Sequence, residues 1–137
     1  MSSAAVDLEA IPGPEPYAGG ALLEVSDLHV SFPTEEGTVA AVRGIDLSVS
    51  AGEVLGVVGE SGSGKSVAML AVMGLLPKTA VVSGSARYRG EELLGRGGRI
   101  RRYRGGRIAM IFQDPLTALN PVHRVGDQIA EAVLAHR

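Results

Sequence analysis

The sequence predicts an α/β fold, and three features of its 137 residues indicate this class. Apolar and polar residues alternate through much of positions 22–49, as in strands of a sheet with one solvated face. Two short apolar runs, Val54–Val58 and Arg107–Phe112, have the length and composition of parallel strands buried on both faces. A helical pattern, Lys65–Leu76, follows the first run after a glycine-rich turn, and Pro77 is expected to end it.

Shorter patterns predict the remaining elements. Strands are expected at Leu23–Phe32, Val39–Val42, Ile45–Val49 and Ser85–Arg89, with a turn at Pro33–Gly37, and helices at Arg99–Arg104 and Val125–His136. Three prolines and three glycines among acidic residues predict a disordered leader over residues 1–21. The ordered domain is therefore expected to occupy residues 22–137.

Composition and charge exclude several classes of protein. The chain has no cysteine, which rules out a disulfide framework, a thiolate metal site and a catalytic cysteine. Its longest apolar stretch, Val67–Leu76, is too short to span a bilayer, and the N-terminus shows no signal-peptide pattern. The net charge of −2 divides into −9 over residues 1–64 and +7 over residues 65–137. A basic half of this kind attracts phosphate, nucleic acid or an acidic partner.

The segment Gly59–Ser66 fits the phosphate-loop pattern G-x-x-x-x-G-K-[ST]. Its members are Gly59, Glu60, Ser61, Gly62, Ser63, Gly64, Lys65 and Ser66. Glycines allow the backbone to curl its N–H groups around an anion, and the following helix adds the positive end of its dipole. Lys65 is expected to reach the β- and γ-phosphates of a nucleoside triphosphate, and Ser66 to ligate Mg²⁺. Because kinases, GTPases and transport ATPases share this loop, it leaves the reaction open.

Four stretches of the chain resemble the ATP-binding subunits of ABC transporters, in particular those that power oligopeptide, dipeptide and nickel importers. They are Leu28–Thr34, Val42–Val49, the phosphate loop with Val67, and Arg107–Pro121, of which the last is the most specific. The resemblance covers residues 22–137. It implies a P-loop NTPase core of the ABC type, with an antiparallel β subdomain at the N-terminus, that binds ATP and Mg²⁺.

The resemblance also assigns roles to two residues outside the phosphate loop. Gln113 is implied to be the Q-loop glutamine, whose amide contacts Mg²⁺ or the water near the γ-phosphate. Phe32 is implied to be the aromatic residue that stacks on adenine, a role suited to a flat apolar ring. The alternatives are a strand-end glutamine bonded to a turn for Gln113 and ordinary core packing for Phe32.

Partners and location follow from the same resemblance. The loop Asp114–Pro121 and the helix after it are implied to receive a membrane permease, and a second ATP-binding subunit is expected to pair with the complete protein. The chain would then lie peripherally at the cytoplasmic face of the membrane. It stops at Arg137, before the signature and Walker B segments of the family, so we expect ATP binding without efficient turnover and assign no catalytic residue.

Two alternatives remain open from the sequence. In a small P-loop kinase, Ile108–Phe112 would be the Walker B strand and Asp114 its Mg²⁺ ligand. In a basic binding module, the six arginines from Arg96 to Arg107 would hold nucleic acid. Only Tyr103 is available there for base stacking, so a solvated helix face is favoured and no nucleic acid beyond the nucleotide is expected.

Overall fold

A computed structural model describes residues 18–95, 99–114 and 118–135. They form four strands and three helices. The strands are β1 (Leu23–Thr34), β2 (Gly37–Val49), β3 (Val81–Tyr88) and β4 (Glu91–Glu92), and the helices are α1 (Lys65–Val72), α2 (Ile100–Tyr103) and α3 (Val125–Leu134). The predicted leader lies almost wholly outside the described residues.

The chain divides into two compact units, Met1–Gly95 and Arg96–Arg137. The first unit contains one antiparallel sheet with strand order β2-β1-β3-β4, and α1 packs against it. Its core contains the β1 side chains Val25, Leu28 and Val30 and the buried face of α1. The buried apolar residues of this unit are Val25, Leu28, Val30, Val42, Ala68, Ala71, Val72, Met73, Ala86, Tyr88 and Leu93. The structure thus confirms the antiparallel N-terminal sheet.

A β-bulge explains the broken alternation of β1. Val25, Leu28 and Val30 are all buried, which a strict period of two does not allow. The register with both neighbouring strands shifts in this region, and Asp27 adopts a positive φ of 47°. Gly84 of β3, at φ 103°, lies so close that a Cβ there would collide with the Asp27 carbonyl oxygen. The extra residue in β1 therefore returns Leu28 and Val30 to the core face.

Helix α1 begins at Lys65, as predicted, but ends four residues before the predicted limit. Gly74 adopts φ 59° and donates its N–H to the Ala71 carbonyl, while Leu75 donates to the Leu70 carbonyl. This pair of bonds is a Schellman motif, which satisfies the last carbonyls of the helix. Gly74, rather than Pro77, therefore ends the helix.

The prediction of buried parallel strands is wrong for both apolar runs. Val54 and Val58 are 95% and 96% exposed, and no residue of this run belongs to a strand. Ile111 is 97% exposed, and within the described residues this run takes part in a single isolated bridge, between Arg104 and Ile108. A parallel strand needs hydrogen-bonded neighbours, and among the described residues no strand lies beside either run.

In the second unit, predicted helices are present with adjusted limits. The basic helix α2 spans Ile100–Tyr103 and buries Ile100. The amides of Arg107 and Ile108 donate to the Tyr103 carbonyl, so these residues turn back on α2 instead of starting a strand. Helix α3 buries none of its side chains, and its apolar residues Val125, Ile129 and Val133 are exposed. None of the helices in the described ranges combines the length and apolarity of a membrane span.

Glu92 holds the short strand β4 against β3. Its carboxylate accepts hydrogen bonds from the Ser85 hydroxyl (2.5 Å), the Ala86 amide (2.9 Å) and the Leu94 amide (3.1 Å). The Nε of Arg87 lies 3.6 Å from the Oε2 of Glu92. Burial alone would raise the pKa of Glu92, but these hydrogen bonds and the Arg87 charge outweigh burial and lower it.

We predict that Glu92→Gln destabilises the first unit by about 1 kcal/mol near neutral pH, because the amide keeps only one oxygen acceptor for these donors. A lowered folded-state pKa stabilises the fold above the ordinary glutamate value of about 4.3, and this contribution is lost as pH falls through the folded value. Urea unfolding at several pH values should show the difference from wild type shrinking below about pH 4. The exposed loop variant Glu35→Gln is the control, and an equal loss in both variants would contradict the role of Glu92.

Candidate functional site

The phosphate loop occupies the short connection that leads into α1. Ser63 donates its N–H to the Glu60 carbonyl at 3.2 Å, which closes a turn within the loop. Gly62 and Gly64 both adopt positive φ, at 81° and 87°. This conformation is costly for residues with a Cβ, so glycine at both positions is what permits the backbone to curl.

Gly64 also brings the loop against the sheet. A Cβ at this position would collide with the Ala41 carbonyl oxygen of β2, and it would lie 3.4 Å from a Val42 methyl group. The motif glycine that precedes the lysine therefore serves two purposes, a left-handed turn and a close approach to the backbone of β2. The position of the start of α1 thus depends on the strand beneath it.

The Lys65 ammonium lies over the loop. Its Nζ donates to the Gly59 carbonyl at 2.6 Å, to the Glu60 carbonyl at 2.6 Å and to the Ser63 hydroxyl at 3.0 Å. These three bonds match the three protons of an ammonium group. The positive charge is thereby held at the centre of the curled backbone, where an anion would meet it.

The start of α1 supplies further donors beside this charge. The Ala68 amide donates to the Gly64 carbonyl at 2.9 Å, which is the first hydrogen bond of the helical pattern. The amides of Lys65, Ser66 and Val67 precede that bond, and no acidic side chain lies in the first turn. An eight-residue helix with these amides and the Lys65 charge favours a bound anion.

A cavity of about 550 Å³ opens between β2 and the loop. Its lining combines loop residues with apolar side chains of β2, α1 and the run before the loop. These residues are Ala40, Ala41, Val42, Arg43, Ile45, Leu47, Val57, Val58, Gly59, Gly62, Ser63, Gly64, Lys65, Ala68 and Met69. The cavity is large enough for a small-molecule ligand. The sequence did not predict that β2 lines this cavity, because the alternating pattern of β2 does not indicate which element lies opposite the loop.

The structure brings together some of the predicted site residues. Gly59, Gly62, Ser63, Gly64 and Lys65 line the cavity, whereas Glu60, Ser61 and Ser66 are exposed members of the same loop that are not part of its lining. Phe32 lies on β1 opposite Val39, is half-buried, and is also absent from the lining. Gln113 is exposed and belongs to the second unit.

The donor set of this region suits a phosphate-bound cation better than a free metal site. Across the described ranges, no group of three or more histidine, aspartate or glutamate residues is placed to hold a metal ion. The loop offers the Ser66 hydroxyl next to the lysine, and a hydroxyl alone gives a hard cation one ligand. Magnesium usually keeps several waters and is held jointly by protein and phosphate oxygens, and this loop fits that arrangement.

We predict that Gly64→Ala lowers the free energy of unfolding more than Gly62→Ala does. Both changes place a Cβ at positive φ, at a cost of about 1–2 kcal/mol. Only the Gly64 change adds a collision with a backbone oxygen, because a Cβ at Gly62 meets no atom within 4 Å. Urea unfolding of the two variants compares the costs directly, and equal stabilities would show that Gly64 does not contact β2.

Known proteins resemble this chain over most of its length. The family model described as ABC transporter matches residues 42–136. The oligopeptide transport ATP-binding protein OppD of Mycobacterium tuberculosis is 56% identical over 117 residues, which are 85% of this chain and 19% of that protein. The OppD protein of Salmonella typhimurium is 47% identical over 123 residues, or 89% of this chain and 37% of that protein.

A third relative is named for the transport of dipeptides. The dipeptide transport ATP-binding protein DppD of Bacillus subtilis is 48% identical over 119 residues, covering 85% of this chain and 36% of that protein. The chain thus spans between 19% and 37% of the length of these curated relatives. The range that matches the family model includes Gly59–Ser66 and Gln113, and it is more than half of the chain. The chain therefore belongs to the ABC transporter family.

Proposed function

We propose that this chain is the nucleotide-binding part of an ATP-binding subunit that drives import of peptides or related small solutes. The observation that carries the proposal is the Lys65 ammonium, held over a glycine-rich curl at the start of α1. Its support in sequence is the likeness to proteins named for oligopeptide and dipeptide transport. The cargo itself would be selected by other components of such a transporter.

In this proposal, the loop Gly59–Ser66 holds the triphosphate of ATP. Lys65 exchanges bonds to the loop carbonyls for bonds to phosphate oxygens, since an ammonium has only three donors. The amides at the start of α1 orient the phosphates, and the Ser66 hydroxyl would be one ligand of Mg²⁺. When bound, Mg²⁺ neutralises phosphate charge. Gln113 is proposed as the residue that senses the nucleotide through its amide.

The permease is proposed to bind at the loop Asp114–Pro121 and α3. Within this loop, residues 115–117 lie outside the described residues. Asp114 and the residues from Ala118 to Pro121 are exposed, and so are all but one of the α3 side chains. We propose that the complete protein pairs with a second ATP-binding subunit and lies peripherally at the cytoplasmic face of the membrane.

Neither alternative from the sequence is favoured. The kinase hypothesis needs Ile108–Phe112 as a strand that presents Asp114, and this segment forms no strand in the described part of the chain. The nucleic-acid hypothesis relies on the arginines around α2, whose single half-buried aromatic, Tyr103, offers little stacking surface. The relatives are named as transport proteins.

We predict that Lys65→Ala weakens binding of a fluorescent ATP analogue at least about tenfold, because it removes the charge that meets the phosphates. Titration in the presence and absence of Mg²⁺ measures this effect. Lys78→Ala, at an exposed position beyond α1, makes the same change in net charge and should bind as wild type does. Equal binding by the Lys65 and Lys78 variants would disprove the assignment of the phosphate loop.

We predict that Phe32→Ala weakens ATP binding about tenfold but leaves inorganic triphosphate binding unchanged, because only ATP carries a base to stack on the ring. Phe32→Leu, which keeps apolar bulk without the aromatic face, should also weaken ATP binding. Competition of each ligand against the fluorescent analogue separates the base from the phosphates. If all three proteins show the same ratio of ATP to triphosphate affinity, Phe32 does not contact adenine.

A further inference from the structure

Strand β2 contacts the phosphate loop at the point where α1 begins. A Cβ on Gly64 would collide with the Ala41 carbonyl oxygen, so the loop and the strand meet there through their backbones. Arg43 lies two residues farther along β2. Because an extended chain advances about 3.3 Å per residue, the Arg43 backbone lies at most about 7 Å from this contact. The long Arg43 side chain can therefore reach an anion that is bound at Gly64 and Lys65.

Two residues with cationic side chains line the cavity, and they come from opposite walls. Lys65 belongs to the loop side and Arg43 to β2. The other described residues of the lining are uncharged, so none of them is acidic. Two positive charges without an acidic residue in the same lining favour a ligand that carries several negative charges. The phosphate chain of a nucleotide is a ligand of this kind.

The acidic neighbours of Arg43 along β1 and β2 are engaged with other groups. Arg43 lies opposite His29 in the register of these strands. The His29 ring contacts the Oδ1 of Asp27 at 2.9 Å, and the Asp27 amide donates to the Oδ1 of Asp46 at 2.9 Å. Across the described ranges, the Arg43 side chain takes part in no ion pair or hydrogen bond, and it is exposed. Its five N–H donors are therefore available to a ligand.

We propose that Arg43 is a second phosphate-binding residue, which contacts the phosphate chain of a nucleoside triphosphate held by the loop. This inference rests on the proposed function and adds a residue of β2 to a site otherwise built from the loop and α1. Lys65 and the amides at the start of α1 hold the phosphates from one side. Arg43 approaches from the β2 wall, where its planar guanidinium can donate to two oxygens of one phosphate group.

The first test compares variants of this chain that remove one positive charge. Arg43→Gln should weaken binding of MgATP and of inorganic triphosphate by the same factor, about fivefold to tenfold, because the contact is to phosphate. Arg43→Lys should recover part of this loss, since it restores the charge without the planar fork. Lys78→Gln, at an exposed position beyond α1, makes the same change in net charge and should bind both ligands as wild type does. Competition against the fluorescent ATP analogue measures each affinity.

Including Lys65→Ala separates failure of this proposal from failure of the proposed function. If Lys65→Ala loses affinity and Arg43→Gln keeps the wild-type affinities, the role of Arg43 is refuted and the proposed function stands. If neither variant loses affinity, both are refuted. Equal losses in Arg43→Gln and Lys78→Gln would show an effect of net charge alone and overturn the proposal. A loss for ATP with triphosphate binding unchanged would also overturn it, because Arg43 would then contact the nucleoside.

The second test observes Arg43 in the unchanged chain by nuclear magnetic resonance. Arginine side-chain Nε–H signals are followed while inorganic triphosphate and Mg²⁺ are added. The Arg43 signal, assigned by its loss in Arg43→Gln, should shift with the same midpoint as the Gly64 and Lys65 amides. The signal of Arg87, whose Nε lies beside the Glu92 carboxylate, should stay in place. An Arg43 signal that is unmoved when the loop amides are saturated would overturn the proposal and leave the proposed function standing.

Discussion

The grip of the Lys65 ammonium on its own loop is the interaction on which the site depends. An isolated ammonium beside a helix N-terminus is repelled by the dipole, because cations are favoured at the opposite end. Bonds to the Gly59 and Glu60 carbonyls and to Ser63 offset that repulsion and keep the charge at the centre of the curl. The loop therefore holds the Lys65 charge where the helix dipole disfavours a cation, and a bound anion would relieve this repulsion.

The sheet makes this arrangement possible by fixing where α1 starts. Gly64 lies against the Ala41 carbonyl of β2, and the buried face of α1 packs on the sheet. The β1 bulge at Asp27 keeps Leu28 and Val30 in that core. A change in the phase of β1 would turn these side chains to solvent and remove the packing under the helix. The binding loop is thus positioned by strand geometry far from it in sequence.

The backbone curl of Gly59–Ser66 and the start of α1 were predictable from the sequence, because the constraints there are local. A helix begins where Gly64 allows a left-handed turn, and Lys65 follows it directly. The bulge of β1 was not predictable, since it depends on the partner strands and on Gly84 of β3. Burial of Val54–Val58 was predicted from composition alone, and composition does not reveal whether neighbouring strands are present. The hydrogen bonds between the Gln128 side chain and the Asn120 backbone were not predicted, because Asn120 lies eight residues before Gln128, beyond the spacing of contacts within a helix.

The central claim is that the curl from Gly59 to Ser66 receives the phosphates of ATP. Amide chemical-shift changes in this chain, titrated with MgATP and separately with inorganic triphosphate, test it most directly. We expect both ligands to move the same amides, those of Gly62, Gly64, Lys65 and Ser66, and to leave the amides of Arg101 and Arg102 unmoved. Shifts confined to the arginines around α2, with the loop amides unchanged, would contradict the account.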